Sequence, residues 1–289
     1  MKVVSVVIPA RNAEATIGLQ LDALQRQELH HGFELAEILV ADNGSTDGTA
    51  AVVRTFSIGD PRVRLVDASK RTGINFARNT GVEIARGDLI LHCDADDVAD
   101  VRWVLSMARE LESADLVGGA LSVEQLNTSM QREWQGGERK SLPVSASFLP
   151  YAVGASLGFR REVYESIGGW DETFAAGGDE IDFCWRAQLA GFRIAFAEDA
   201  IMHYRLPGTL GELRRKAYRK AKAGPRLYRK YRQDGAARRP LREVIRAIAW
   251  LVWFLPRLPN RRTRGVWVRS LSSLCGRAAG SWESRVLYL

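Results

Sequence analysis

The strongest constraint on the fold is a repeat of short apolar runs, each ending in a polar loop and followed by a stretch with helical spacing. "VVSVVIPA" (3–10) is mostly β-branched and stops at a proline and a polar loop. It reads as a buried strand, because a strand covered on both faces loses its in–out alternation. "NAEATIGLQLDALQRQ" (12–27) then spaces Ile17, Leu21 and Leu24 for one helical face. "AEILVADNGSTDGT" (36–49) is a second buried strand that breaks at "DNGSTDG". A helix over 49–56, a strand over 63–68, a helix over 74–87 stopped by Gly87, and a strand over 88–97 follow. Such alternation implies an α/β fold with a mostly parallel sheet and crossover helices. Ligands bind beyond the carboxyl ends of the strands in such sheets. Three polar loops sit there, at 9–12, 42–47 and 94–97.

The third loop is unusual. "LILHCDADDVAD" (89–100) places Asp94, Asp96, Asp97 and Asp100 within seven positions. Clustered carboxylates repel one another and call for a cation or a role in chemistry. The plain alternative is that Asp97 or Asp100 caps a helix over "VADVRWVLSMARELES". Neither G-x-G-x-x-G nor the Walker loop follows the first strand, which argues against a dinucleotide dehydrogenase or a P-loop NTPase.

Charge divides the chain. Residues 1–205 hold 20 Lys and Arg against 30 Asp and Glu, net −10, and residues 206–289 hold 21 against 4, net +17, giving the overall +7. An acidic body with a basic tail suggests an anionic partner for the tail. Cys93, Cys184 and Cys275 are odd in number and far apart, so they fit neither a disulfide framework nor a zinc site and suggest a reducing, cytoplasmic setting. "MKVVSVVIPARN" does not read as a signal peptide, since its apolar run is short and leads into a charged loop.

"SVVIPARNAEATI", "ILVADNGSTDGT", "GINFARNTGVEIARGDLILHCDADD" and "GGDEIDFCWRAQLAGFRI" together resemble family 2 glycosyltransferases of the GT-A fold, in order, over about residues 3–205. The resemblance implies a GT-A catalytic domain over 1–205, with a nucleotide-sugar half over about 1–100 and an acceptor half over about 101–205. It implies an inverting transfer from a nucleoside-diphosphate sugar to a hydroxyl acceptor, with Mg²⁺ or Mn²⁺ as cofactor. "DAD" resembles the family's DxD motif, which gives Asp94 to the nucleotide sugar and Asp96 to the metal. Hard oxygen ligands suit these ions. Asp42 would accept from the nucleotide base, which favours UDP or dTDP, while Asn43–Gly44 reads as a turn. Pro9, Arg11 and Glu14 would line the nucleotide, and Lys70, Arg71 and Arg78 would face phosphate or base.

In "GGDEIDFCWRAQLAG" (177–191) the family commonly has Glu-Asp where this chain has Asp179-Glu180. Asp179 suits a helix N-cap and Asp182 a capping box, with Asp182 and Arg186 an i, i+4 pair. Glu180 has no such local explanation, so it is expected to be the general base, with Asp179 second. His203 is expected to meet the metal. Trp170 and Asp171 are expected to hold acceptor sugar, by ring stacking and hydrogen bonding.

Residues 206–289 lie outside the resemblance and read as a basic, amphipathic helical tail. "ELRRKAYRKAKAGPRLYRKYRQDGAARR" (212–239) is anchored by Leu213, Tyr218, Tyr228 and Tyr231. In "VIRAIAWLVWFLPRLP" (244–259) the uninterrupted apolar stretch is too short to cross a bilayer, which needs about 20 residues. Trp250, Trp253 and flanking Arg suggest a segment lying on an anionic membrane, the inner face of the plasma membrane, near a glycan or lipid-linked acceptor. The plain alternative is a helix packed on the catalytic domain or on a second copy. Two other functions fit parts of the chain. A sugar nucleotidyltransferase would open with a Gly-rich loop that "PARNAEAT" lacks, and a polyanion or nucleic-acid binder would leave Asp94, Asp96 and Glu180 unexplained.

Overall fold

The computed structural model describes residues 1–29, 32–135, 137–174 and 177–288. Its elements run β1 (Lys2–Ala10), α1 (Ile17–Gln25), β2 (Phe33–Asp42), α2 (Thr49–Gly59), β3 (Val63–Asp67), α3 (Ile74–Ile84), β4 (Leu89–His92), β5 (Val98–Ala99), α4 (Trp103–Glu110), β6 (Leu116–Ser122), α5 (Ser129–Gln135), β7 (Leu157–Arg160), α6 (Arg161–Ile167), α7 (Asp179–Leu189), β8 (Ile194–His203), α8 (Leu210–Tyr231), α9 (Leu241–Trp253) and α10 (Arg261–Glu283). Among the described residues the strands form one eight-stranded sheet in the order β3-β2-β1-β4-β7-β6-β8-β5.

The continuous apolar run of β1 is explained by a core on each face of the sheet. Val4, Val6 and Ile8 pack with Ile17, Leu21 and Val53 on one side. Val7 packs with Leu39, Ile90 and the Trp170–Phe183 group on the other. Alternate residues of one strand thus feed two layers. β3, β2, β1 and β4 are parallel, as the alternation implies. Beyond β4 the sheet is mixed: β7 is antiparallel to β4 and β6, β8 is parallel to β6, and β5 is antiparallel to β8.

Several boundaries differ from the sequence reading; the helix read from 12–27, for one, begins only at Ile17. The strand expected over 88–97 ends at His92, and the acids that follow lie in a turn. The helix after them starts only at Trp103, because Val98–Ala99 pair with β8. α3 ends at Ile84, before Gly87. Gly87 serves a close approach, since a Cβ there would lie 2.7 Å from the Ser5 nitrogen.

Two of the tail helices pack on the domain. Leu227 and Tyr231 of α8 join the second core layer, where Tyr231 meets Trp185 edge-on with centroids 5.2 Å apart. α10 crosses α8 closely at two glycines. A Cβ at Gly276 would lie 2.3 Å from the Tyr218 carbonyl oxygen, and one at Gly280 2.2 Å from that of Lys222. α9 is different, with Leu241, Ile245, Ile248 and Val252 exposed along one face. Among the described residues no helix is long and apolar enough to cross a membrane.

Candidate active site

The loops after β1 and β2 are tied together by side chains. Asn12, in the left-handed region at φ 52°, accepts from the Thr46 amide at 2.8 Å and donates its own amide to Ser45 Oγ at 2.9 Å. Glu14 accepts from the Gly48 amide at 2.9 Å, so its carboxylate closes this seam and is not turned to a ligand. Asn43 is more than a turn residue. Its side-chain amide donates to the Ala68 and Arg71 carbonyls at 2.6 and 2.7 Å, and its Oδ1 accepts from the Gly73 amide at 2.7 Å, pinning the loop after β3. Asp42 ends β2 and accepts from the Ser45 amide and hydroxyl. Pro9 lies beside Ala41 in the β1–β2 register, and Arg11 is exposed at the same edge. Lys70 is solvated, and Arg71 is engaged by Glu172 at 2.8 Å.

The turn after β4 brings one carboxylate oxygen each of Asp94, Asp96 and Asp97 within 4.8 Å of one another. Asp96 is exposed, Asp94 half-buried and Asp97 buried. Asp97 Oδ1 accepts from the Arg205 amide at 2.7 Å, and its buried Oδ2 has no partner among the described residues. Burial, then repulsion from Asp96, pushes Asp94 up to about 6. Burial and the same neighbours push Asp97 well above the carboxylate range. Crowded hard oxygens with an unmatched buried lone pair fit a divalent cation of the Mg²⁺ or Mn²⁺ kind. Asp97 therefore does not cap a helix, whereas Asp100 does accept from the Arg102 amide at 3.2 Å. His203 is not brought into the group. Its Nε2 lies 3.8 Å from Asp100 Oδ2, and burial lowers its pKa.

α7 carries the expected base. Its N-cap is Gly178 with no side-chain cap, so neither the Asp179 cap nor the Asp182 capping box forms. Asp179 is instead buried against Arg78 Nη1 of α3, while Arg78 Nη2 lies 4.0 Å from Asp94. Arg78 is 3% exposed, neither a solvated cation nor a free phosphate ligand. Asp182 accepts from Tyr231 Oη and Lys230 Nζ at 2.6 Å, and it pairs with Arg186 as its spacing suggests. Glu180 is half-buried, and desolvation followed by the Asp179 charge pushes it up to about 7. Among the described residues it has no ion-pair partner, which leaves it the available carboxylate of the pair.

Trp170 is core and not a sugar platform. It is 2% exposed, stacked on Phe183 at 4.3 Å, with the Arg78 guanidinium 4.4 Å from its ring centroid. Neither face is left for an acceptor. Asp171 is taken up by Thr173 and by Lys230 at 3.1 Å. Arg78→Gln strands a buried carboxylate, so it is expected to lower stability by about 3–5 kcal/mol. Denaturant unfolding reads this directly, and an unchanged midpoint would show that the ion pair does not hold α3 to α7.

Sequence reasoning missed the tail's share in the site. Lys216 of α8 donates to Tyr204 Oη at 2.5 Å, and the charges of Asp94 and Asp96 act on it. Lys220, one turn on, feels Glu180. The i, i+4 spacing of Leu213, Ala217 and Ala221 beside these lysines was the available signal for a packed face.

Comparison with known proteins shows the family and the fold. The model of glycosyl transferase family 2 matches residues 5–168, and that of glycosyl transferase family group 2 matches 89–275. The chain is similar to glycosyltransferase AglE of Haloferax volcanii, 30% identical over 262 residues, covering 89% of this chain and 83% of that protein. It is also similar to probable glycosyltransferase YdaM of Bacillus subtilis, 28% identical over 226 residues, covering 71% of this chain but only 51% of the relative. Among solved structures, the mannosyltransferase PcManGT of Pyrobaculum calidifontis in complex with GDP-Man and Mn²⁺ matches with TM-score 0.62 at 21% identity, over 98% of this chain and 74% of that one. S. aureus TarS 1–349 in complex with UDP-GlcNAc matches with TM-score 0.55 at 18% identity, over 100% of this chain and 93% of that one. At these identities the structural likeness speaks to the fold.

Proposed function

The chain belongs to glycosyl transferase family 2 and is a glycosyltransferase of GT-A fold, and we propose that it is a metal-dependent, inverting member of the family. It moves a sugar from a nucleoside-diphosphate sugar to a hydroxyl of a glycan or lipid-linked acceptor. The observation that supports this most is the link through Arg78: one buried guanidinium reaches both Asp94 of the acid turn and Asp179 beside Glu180. Donor-side and acceptor-side carboxylates are thus held at one edge of the sheet.

In this reading Asp42 accepts from a pyrimidine imide, which favours UDP or dTDP donors. Asp94, Asp96 and Asp97 would hold the divalent cation. When bound, that cation offsets the charge growing on the departing diphosphate. Lys216 lends a further positive charge on the same side. Glu180 takes the proton of the acceptor hydroxyl, whose oxygen forms the new bond to the anomeric carbon as the bond to diphosphate breaks. Asp179, tied to Arg78, fixes the start of α7 and so aims Glu180. The anomeric configuration of the product, read by NMR, tests the single displacement. Inversion relative to the donor is expected, and retention would contradict a single displacement from the face opposite the diphosphate.

The membrane setting rests on α9. Leu241 and Val252 are 69% and 62% exposed, Trp253 is 71% exposed, and Arg242 and Arg246 flank the stripe. An exposed apolar face with basic flanks suits an anionic bilayer surface. Changing Leu241, Ile245, Ile248 and Val252 together to Ser is expected to weaken flotation with phosphatidylglycerol vesicles by at least about tenfold, since each apolar side chain contributes roughly 1 kcal/mol or more. Equal flotation of the variant and the natural protein would count against membrane contact through α9.

A further inference from the structure

A cleft of about 380 Å³ opens between the domain and the tail, walled by β6 and the end of α5 on one side and by α8 and α10 on the other. Its charges are all of one sign. Arg139, Lys216, Lys220, Arg269 and Arg277 line it, with no carboxylate among the described residues. Among the described residues none of the five has an ion-pair partner, although the protein makes such pairs freely elsewhere. Two buried donors are stranded there: among the described residues, Arg277 Nε and Gln135 Nε2 have no hydrogen-bond partner. Burial holds Arg269 and Arg277 below the usual arginine range.

Like charges brought together in a partly desolvated cleft are costly unless an anion joins them. The fold goes to some length to bring them together, since the close crossing of α8 and α10 depends on Gly276 and Gly280. The cleft also has a direction. Lys216 is turned to Tyr204 Oη, to which it donates, and Lys220 lies against Gly177, three residues before Glu180, where a Cβ would come within 3.4 Å of the Lys220 Cα. A group bound at Arg139, Lys220, Arg269 and Arg277 therefore lies on the Glu180 side, where the acceptor enters, and not over the nucleotide loops.

We propose that this cleft binds a phosphate group carried by the acceptor, leaving an acceptor hydroxyl free to reach Glu180. The proposal rests on the transferase reading for the place of the acceptor, but its test needs no turnover. Arginine forks and lysine ammonium groups in a cleft suit phosphate oxygens better than neutral sugar hydroxyls. Two kinds of molecule carry such a group, a lipid phosphate and a soluble sugar phosphate.

The test is calorimetric titration of the full chain with geranyl phosphate, glucose 1-phosphate and inorganic phosphate, each with and without Mn²⁺ plus UDP, dTDP or GDP. Binding of geranyl phosphate or glucose 1-phosphate is expected, and which of the two binds tells a lipid from a soluble source. The affinity is expected to fall by about tenfold in Arg277→Gln and in Arg269→Gln, each losing a charge-assisted contact, and to hold in Lys222→Gln, whose lysine pairs with Glu283 outside the cleft. Circular dichroism confirms folding, and Arg269→Gln stands in if Arg277→Gln does not fold. No binding of any of the phosphates, or equal binding in both arginine variants, would overturn the proposal. Displacement by a nucleoside diphosphate would overturn it too, by making the cleft part of the donor site. Failure of nucleotide release in a donor assay would instead strike at the transferase mechanism and leave this result standing.

Discussion

Glu180→Gln is expected to lower the turnover number by about 10²–10⁴-fold, the usual share of a general base, with little change in donor KM. The natural enzyme's pH profile carries the same information. Desolvation and the Asp179 charge push Glu180 up to about 7, and the base works only when deprotonated. Activity is therefore expected to be full above that value and to fall about tenfold per unit below it, once protonation dominates. In Glu180→Gln that acidic limb should vanish, because amide and protonated acid are alike unable to take a proton. A purely structural Glu180 would lose activity without losing the limb. Survival of the limb in the variant, with its loss in Asp179→Asn, would move the base to Asp179.

Asp96→Ala is expected to reduce donor turnover by roughly 10³-fold or more, since a cation that stabilises a leaving diphosphate supplies several kcal/mol. Chelation with EDTA should have the same effect on the natural protein, and added Mn²⁺ should restore it there but not in the variant. Asp96 is exposed and its side chain makes no hydrogen bond among the described residues, so the melting temperature should barely move. Asp97 differs, because its Oδ1 holds the Arg205 amide. Loss of activity in Asp96→Ala with unchanged melting separates cation binding from folding. Full activity after exhaustive chelation would sink the metal assignment.

The half of the fold up to β4 was legible because its strands are buried on both faces and its crossovers are short. Near-continuous apolar runs such as 3–10 and 38–41 have no other ready explanation. Past β4 the regularity fails. β5 is two residues long and β7 four, too short to carry a period. The acids of the turn were legible because their repulsion demands a reason. Their partners were not. Arg78 reads as an ordinary surface cation, and only the fold brings it to Asp179, 101 residues away. Trp170 beside Asp171 reads like a sugar platform until the fold buries it against Phe183 and Arg78. His203 sits at the expected strand end, yet its ring turns to Asp100. In the tail, Lys216, Lys220, Arg269 and Arg277 were lost among 21 basic residues. What singles them out is the glycine-mediated crossing of α8 and α10, which "GRAAG" (276–280) hardly announces.

The most direct test of the central claim is donor turnover. Purified protein is incubated with Mn²⁺ or Mg²⁺ and a panel of UDP-, dTDP- and GDP-sugars, and the released nucleoside diphosphate is quantified. The account predicts release from one donor, most readily a UDP- or dTDP-sugar, abolished by EDTA and in Asp96→Ala. No release from any donor, together with no metal-dependent nucleotide binding, would contradict it and leave the acid turn a structural feature.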